Sequence, residues 1–203
     1  MRTFLWAAAI AMAATMGLAG AENPDATYAA LAKKAAAGDP VDFRALRMAC
    51  AAASRCDARG DRTMLQEMRQ ASREGNHKKT AALASKLIAA GFPQIEAHMA
   101  SAQAYEAMQK PAEAERHKAI AGGLLRSILQ AGDGKTKETA FEVIGTHEEH
   151  LTLSVMGLQF GGQSLIPGKP HSYDVIEAKN PKTGETVRVY FQIDAFYPMK
   201  GLR

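Results

Sequence analysis

The chain has 203 residues, with 25 Lys and Arg against 21 Asp and Glu and a formal net charge of +4. Acidic and basic residues are interspersed, and no basic block is interleaved with aromatics, so nucleic-acid binding is not expected. The length fits one domain or two small ones, and the two cysteines, Cys50 and Cys56, are too small a ligand set for a metal site.

The opening "MRTFLWAAAIAMAATMGLAGA" carries one positive charge at Arg2, an apolar run through Leu18 and the small residues Ala19-Gly20-Ala21. This order predicts a signal peptide over residues 1–21 and a mature chain from Glu22. The uncharged run is about 16 residues, short of the roughly 20 that a spanning helix needs. No cysteine follows the small residues, so no lipid anchor is expected, and no membrane span remains after cleavage. The expected location is periplasmic or secreted.

Residues 22–131 are predicted to form a helical, repeat-like domain, rich in Ala, Lys, Arg, Glu, Gln and Met, whose side chains lose little in a helix. Apolar residues recur at helical spacing in successive stripes. Phe43, Leu46, Cys50 and Ala53 form one; Met64, Met68 and Ala71 another; Ala84, Leu87 and Ile88 a third. Ile95, Met99, Ala102 and Tyr105 follow, then Ala114, Ala121, Leu124 and Ile128. Breaks fall at Gly38-Asp39-Pro40, Gly60-Asp61, Gly75-Asn76, Gly91-Phe92-Pro93 and Lys110-Pro111, and Gly91 suits a helix C-cap that ends the fourth helix at about Ala90. Six helices in three antiparallel hairpins result. Gly75-Asn76-His77 lies 34 residues before Gln109-Lys110-Pro111, the period of tetratricopeptide-like repeats, with Ala102, Tyr105, Ala114 and Ala121 at the small, tyrosine, small and small positions. His98 stands at the tryptophan position of that pattern and Lys118 at its late aromatic position. Export permits a Cys50–Cys56 disulfide across a short loop, with an entropic gain of about 2 kcal/mol.

Residues 132–203 are predicted to form a small, mainly antiparallel α+β domain, so that the whole chain is α+β. "AFEVIG" alternates Phe141 and Val143 against Glu142 as a half-buried strand does. In "THEEHL" Thr146 and Glu149 read as a capping box at the start of a short helix, where Glu148 and Glu149 favour the positive end of the helix dipole. "QSLI", "SYDVIEA" and "VRVYFQID" read as strands, the last two joined by the turn Asn180-Pro181-Lys182-Thr183-Gly184. Val187, Val189, Phe191 and Ile193 share one face of the last strand; Arg188, Tyr190, Gln192 and Asp194 share the other.

The strings "DGKTKETAFEVI", "HEEH", "MGL", "HSYDVIEAKNPKTG" and "VYFQID" together resemble the DUF4919 family, a secreted bacterial domain of unknown function. The resemblance runs over roughly residues 133–194 and more loosely over the helices before it. It implies an exported chain with a helical first part and an α+β tail. It supplies no activity, so no catalytic residues are carried over.

The candidate chemistry is sparse. His147 and His150 are three apart, whereas the zinc-protease motif spaces its histidines by four, so no metal or other cofactor is expected. His171, Ser172 and Asp174 are nearly contiguous on a strand whose side chains alternate faces, and a Ser-His-acid machine needs groups converging from separate elements. His77, His98 and His117 fall on separate helices, with His117 between Ala114 and Ala121 on the inner stripe as a partly buried, satisfied histidine. The candidate binding face is therefore the polar side of the terminal hairpin: Arg188, Tyr190, Gln192 and Asp194 beside His171 and Asp174. The expected function is a non-enzymatic, exported protein-binding module with an envelope or periplasmic partner, one form of which is an immunity-type protein that neutralises a toxin. The alternatives are a periplasmic hydrolase using polar residues of the C-terminal part and a structural envelope protein.

Overall fold

The computed structural model describes residues 23–197, and the expected signal peptide lies outside the described residues. Six helices come first: α1 (Pro24–Ala37), α2 (Phe43–Ala52), α3 (Arg62–Arg73), α4 (His77–Ala90), α5 (Ile95–Ala107) and α6 (Pro111–Leu129). Then follow β1 (Phe141–Glu142), α7 (Thr146–Val155), β2 (Gln159–Ile166), β3 (Tyr173–Lys179) and β4 (Thr186–Gln192). Among the described residues no helix is long and apolar enough to cross a membrane.

The helix starts are chemically marked. The side chains of Asn23, Asp42, Asp61 and Asn76 accept hydrogen bonds from the backbone of Asp25, Ala45, Met64 and Lys79, satisfying first-turn donors of α1 to α4. Pro24 and Pro111 occupy the first turns of α1 and α6, where no N–H is needed. α1 packs on α2, and α3 to α6 pack each on the next, while α6 also closes against α2. α4 ends at Ala90 as expected, but Gly91 is extended rather than left-handed. Its role is close approach: a Cβ there would lie 2.0 Å from the Asp57 carbonyl oxygen, and Asp57 N–H donates to Ala90 O.

The loop that brings Asp57 there is tied by the Cys50–Cys56 disulfide, whose Cα atoms are 5.3 Å apart. Cys50 lies on the buried face of α2, so the bridge anchors an irregular segment to a fixed helix end.

The four strands form one sheet in the order β1-β4-β3-β2. β2–β3 and β3–β4 are antiparallel, and the two-residue β1 runs parallel to β4. β2 is the outer strand and carries a bulge between Phe160 and Gly162. The expected strand through Val143 is thus shorter than its pattern: past Glu142 the chain turns into α7, and Val143 and Ile144 are both buried, which alternation does not allow.

The principal core runs through both composition regimes. Leu46, Phe92, Ile95, Leu124 and Ile128 of the helical part pack in one cluster with Phe141, Leu153, Ile176, Val189 and Phe191. A second cluster, Met68, Ala84, Leu87, Ala97 and Ala100, holds α3, α4 and α5 together. One fully buried ion pair also joins the two regimes. Arg47 of α2 donates from Nε and Nη2 to the two carboxylate oxygens of Glu148 of α7, at 2.8 and 2.5 Å. Its Nη2 also reaches Glu142 O at 2.6 Å and its Nη1 reaches Ser127 Oγ at 3.3 Å, while Ile144 N–H donates to Glu148 Oε2 at 2.9 Å.

Candidate functional site

The strand register decides which polar residues stand together. Cross-strand partners share a face, and Tyr173 pairs with Gln192, Val175 with Tyr190 and Glu177 with Arg188. Arg188, Tyr190 and Gln192 therefore lie on the open face of the sheet; Arg188 is exposed, and Tyr190 and Gln192 are half-buried. Arg188 Nε lies 3.7 Å from Glu177 Oε1, an exposed pair that contributes little to stability.

At the end of β4, Asp194 gathers the start of β3. Its Oδ1 accepts from Ser172 N–H at 2.8 Å, and its Oδ2 accepts from His171 Nδ1–H at 2.6 Å and from Gln192 Nε2 at 3.0 Å. His171, Gln192 and Asp194 thus form one network. The imidazole is oriented by a carboxylate, as a catalytic base would be, yet among the described residues its only hydrogen-bond partners are Asp194 and Gln192, neither of them a serine, threonine or cysteine nucleophile. Ser172 is fully buried, with its Oγ enclosed and without a partner.

Asp174 does not belong to that face. It pairs in register with Phe191 and Leu165 and alternates with Ile176 and Ala178, so its side chain points into the core. There it accepts from Gln163 Nε2 at 2.5 Å and meets Glu149 of α7. Burial first, then the Asp174 carboxylate, push the Glu149 carboxyl up to about 8, so at neutral pH it is protonated and donates to Asp174. Glu149 is accordingly not half of a capping box. Gly145 is the residue before α7, no side chain caps the helix, and Glu148 and Glu149 are both buried, one against Arg47 and the other against Asp174. Glu149 Oε1, Thr152 Oγ1 and Ser172 Oγ are buried without partners among the described residues. The pair stores one proton inside the fold.

A large concavity lies elsewhere. A groove of about 1040 Å³ runs between α3, α5 and α7 and the 57–60 loop. Arg62, Leu65, Gln66 and Arg69 of α3 form one wall, and Thr146, His147, His150 and Ser154 of α7 form the other. Glu96 and Met99 of α5 also line it; Arg69 forms a two-pronged pair with Glu96, at 2.5 and 2.6 Å. Asp57 Oδ1 is occupied by the backbone N–H groups of Arg59 and Gly60. Both groove carboxylates are thereby engaged, whereas Arg59 and Arg62 make no ion pair among the described residues. His147 and His150 both line the α7 wall, and burial lowers the pKa of His147. No three His, Cys, Asp or Glu side chains of the described residues are grouped as a metal site needs. The sequence drew attention to His147 and His150 but gave no signal for the groove they line, because its walls come from three helices far apart in the chain.

No curated protein and no solved structure matches the chain. One family does, over residues 53–200, a span that takes in the groove, the buried carboxyl pair and the whole sheet and reaches back well into the helices. On that match the chain belongs to the DUF4919 family, a domain of unknown function.

Proposed function

We propose that the protein is an exported, non-enzymatic protein-binding module of the cell envelope, whose groove between α3, α5 and α7 takes an acidic, extended segment of a partner protein. The observation that carries this is the charge of the groove. Two arginines on its rim, Arg59 and Arg62, are without ion-pair partners among the described residues, while its two carboxylates are already held by Arg69 and by backbone N–H groups. An acidic segment supplies the missing partners, and complementary potential steers it into place.

Two further facts support the reading. α4 begins at residue 77 and α6 at residue 111, a spacing of 111 − 77 = 34, and α3 and α5 begin 95 − 62 = 33 apart. That is the period of tetratricopeptide-like units, whose stacked helices form binding surfaces. The signal-like opening and the disulfide accord with an oxidising compartment.

The test is affinity capture from the cell envelope with three baits: the wild-type chain, Arg62→Glu, and Arg188→Ala/Tyr190→Ala on the open sheet face. A partner lost with Arg62→Glu and kept with the sheet-face variant, at unchanged melting temperature, supports the groove. The opposite pattern transfers the binding face to the sheet, and no saturable partner with any bait removes the proposal.

A further inference from the structure

A second cavity, of about 480 Å³, opens between α1, α4, α5 and α6 and shares no lining residue with the groove. Its walls are mainly apolar or small: Ala32 and Ala36, Ile88 and Ala89, Phe92 and Ile120. The polar groups that reach it are Tyr28, Lys33, His98, Arg116 and His117 with two serines and Tyr105, and no Asp or Glu lines it. Among the described residues neither Lys33 nor Arg116 has an ion-pair partner.

The hydrogen bonds behind the cavity fix what its polar groups present. His98 Nε2 lies 2.9 Å from Phe92 O. A carbonyl only accepts, so Nε2 carries the hydrogen. Burial keeps this ring neutral, at about 3, and its Nδ1 is therefore a bare lone pair. His117 Nδ1 lies 2.9 Å from that lone pair and must donate to it. The remaining nitrogen of His117, Nε2, makes no hydrogen bond among the described residues. Its ring is clamped by stacking on Tyr105, with centroids 5.6 Å apart and planes 13° off parallel. On the other side of Phe92, its N–H donates to the Tyr28 hydroxyl at 2.9 Å, which leaves the phenolic hydrogen to donate. The backbone of one residue thus aligns a hydroxyl donor and an imidazole at one cavity. Burial lowers the pKa of both histidines, and the Arg116 charge adds to it in each.

We infer that this cavity is a binding site for a small organic carboxylate with an apolar, preferably aromatic, body. Apolar walls with a few fixed polar groups and a volume of a few hundred Å³ are the usual make-up of a ligand site. Two unpaired cations without a lining acid select an anion, and the Tyr28 hydroxyl adds a neutral donor. Such a ligand occurs as a free acid or as the C-terminal residue of a peptide, and both present the same chemistry. Binding also takes up a proton. An anion in the cavity favours the charged form of His117, against the opposing charges of Lys33 on α1 and Arg116 on α6. His98 on α5 stays neutral, and burial pushes the Tyr28 phenol on α1 above its usual value. Affinity therefore rises as pH falls into the range where His117 takes up a proton, a range that burial and the Arg116 charge have moved below the ordinary histidine value.

The experiment is a titration of the purified protein, with the histidine side chains followed by NMR. Four probes are used: 3-phenylpropionate, its primary amide, the tripeptide Gly-Gly-Phe and that tripeptide as its C-terminal amide. The expected result is saturable binding of at least one carboxylate, with shifts at His117, and binding about tenfold weaker for the matching amide or in Arg116→Gln and Lys33→Gln, the loss of one charge-assisted contact. A preference for 3-phenylpropionate assigns the site to free acids; a preference for Gly-Gly-Phe assigns it to peptide C-termini. Equal binding of acid and amide, undiminished binding in both cation variants, or no saturable binding of either carboxylate overturns the inference. Both cations are exposed, so the variants should fold, and an unchanged far-UV spectrum checks that they do.

Discussion

Replacing Arg47 by methionine tests whether the helical part and the sheet part are one cooperative unit. The substitution keeps much of the aliphatic stem and removes four hydrogen bonds, two of them to Glu148. Glu148 then keeps the Ile144 N–H as a partner but loses its counter-charge, with its side chain fully buried. Breaking one partner of a buried ion pair costs about 3–5 kcal/mol, a large fraction of the roughly 5–15 kcal/mol that keeps a domain folded. For a chain of this size that corresponds to a fall in melting temperature of about 6–20 °C. The orphaned carboxyl escapes part of the cost by taking a proton, so the variant should recover stability as the pH is lowered. The assay is urea unfolding followed by far-UV circular dichroism, which reports the helices, and by tyrosine signals, to which Tyr173 and Tyr190 of the sheet contribute. Both probes should move together to a lower midpoint with unchanged slope. Arg47→Met/Glu148→Leu removes both charges and should be less destabilised than the sum of the two single variants. A loss under about 1 kcal/mol, additive singles, or separate transitions for the two probes would refute the reasoning.

Glu149 gives the chain a pH dependence of defined sign. Its folded value of about 8 lies above its ordinary 4.5, so the folded state binds the extra proton and stability falls as pH rises, by up to about 1.4 kcal/mol per unit. His98 acts in the opposite direction, its folded value lowered from 6.5 to about 3, so it costs stability as pH falls below 6.5. Urea midpoints measured between pH 6.5 and 8 isolate the first effect and should decline in wild type and flatten in Glu149→Gln; an equal slope in both removes the claim. Intact mass after thiol blocking should show no modified cysteine in protein recovered from the envelope, and reduction should lower stability by about 2 kcal/mol. Gly91→Ala forces a methyl group to within 2.0 Å of the Asp57 carbonyl and should cost about 1–3 kcal/mol by thermal melting, while a neutral result would mean that the 57–60 loop yields.

The regular elements were legible because their signals are local. Alanine-rich stripes, capping Asp and Asn residues and the period-two pattern of Val187, Val189, Phe191 and Ile193 each act within a few residues of where they are read. The parity of Asp174 was legible too: it stands two and four residues before Ile176 and Ala178, so alternation alone puts it on the inner face. Grouping it with His171 weighed residue type above position. Glu148 and Glu149 misled for a different reason. Two acids in a first helical turn are ordinarily explained by the helix dipole, and nothing nearby announces that their partners are Arg47 and Asp174. The Arg47 contact spans 101 residues of sequence, and the His98–His117 pair is created by the packing of α5 on α6. Such pairings are decided by tertiary geometry, as are the cavities they line.

β2 leaves one side of the sheet unfinished. Its eight residues, "QFGGQSLI", contain no charge and no proline, and its outer backbone groups have no strand beyond them among the described residues. Phe160 and Leu165 are exposed along it, with Val155 and Met156 exposed at the end of α7. Lysines, prolines and short lengths are how edge strands usually avoid meeting one another, and here only the bulge after Phe160 breaks the template. The practical consequence concerns crowding. As the protein is concentrated, this edge is where chains should begin to adhere, and it sets the solubility ceiling before any unfolding occurs. A lysine in place of the exposed Ser164 should raise that ceiling, readable as a higher concentration at the onset of light scattering, without touching the groove or the histidine-lined cavity.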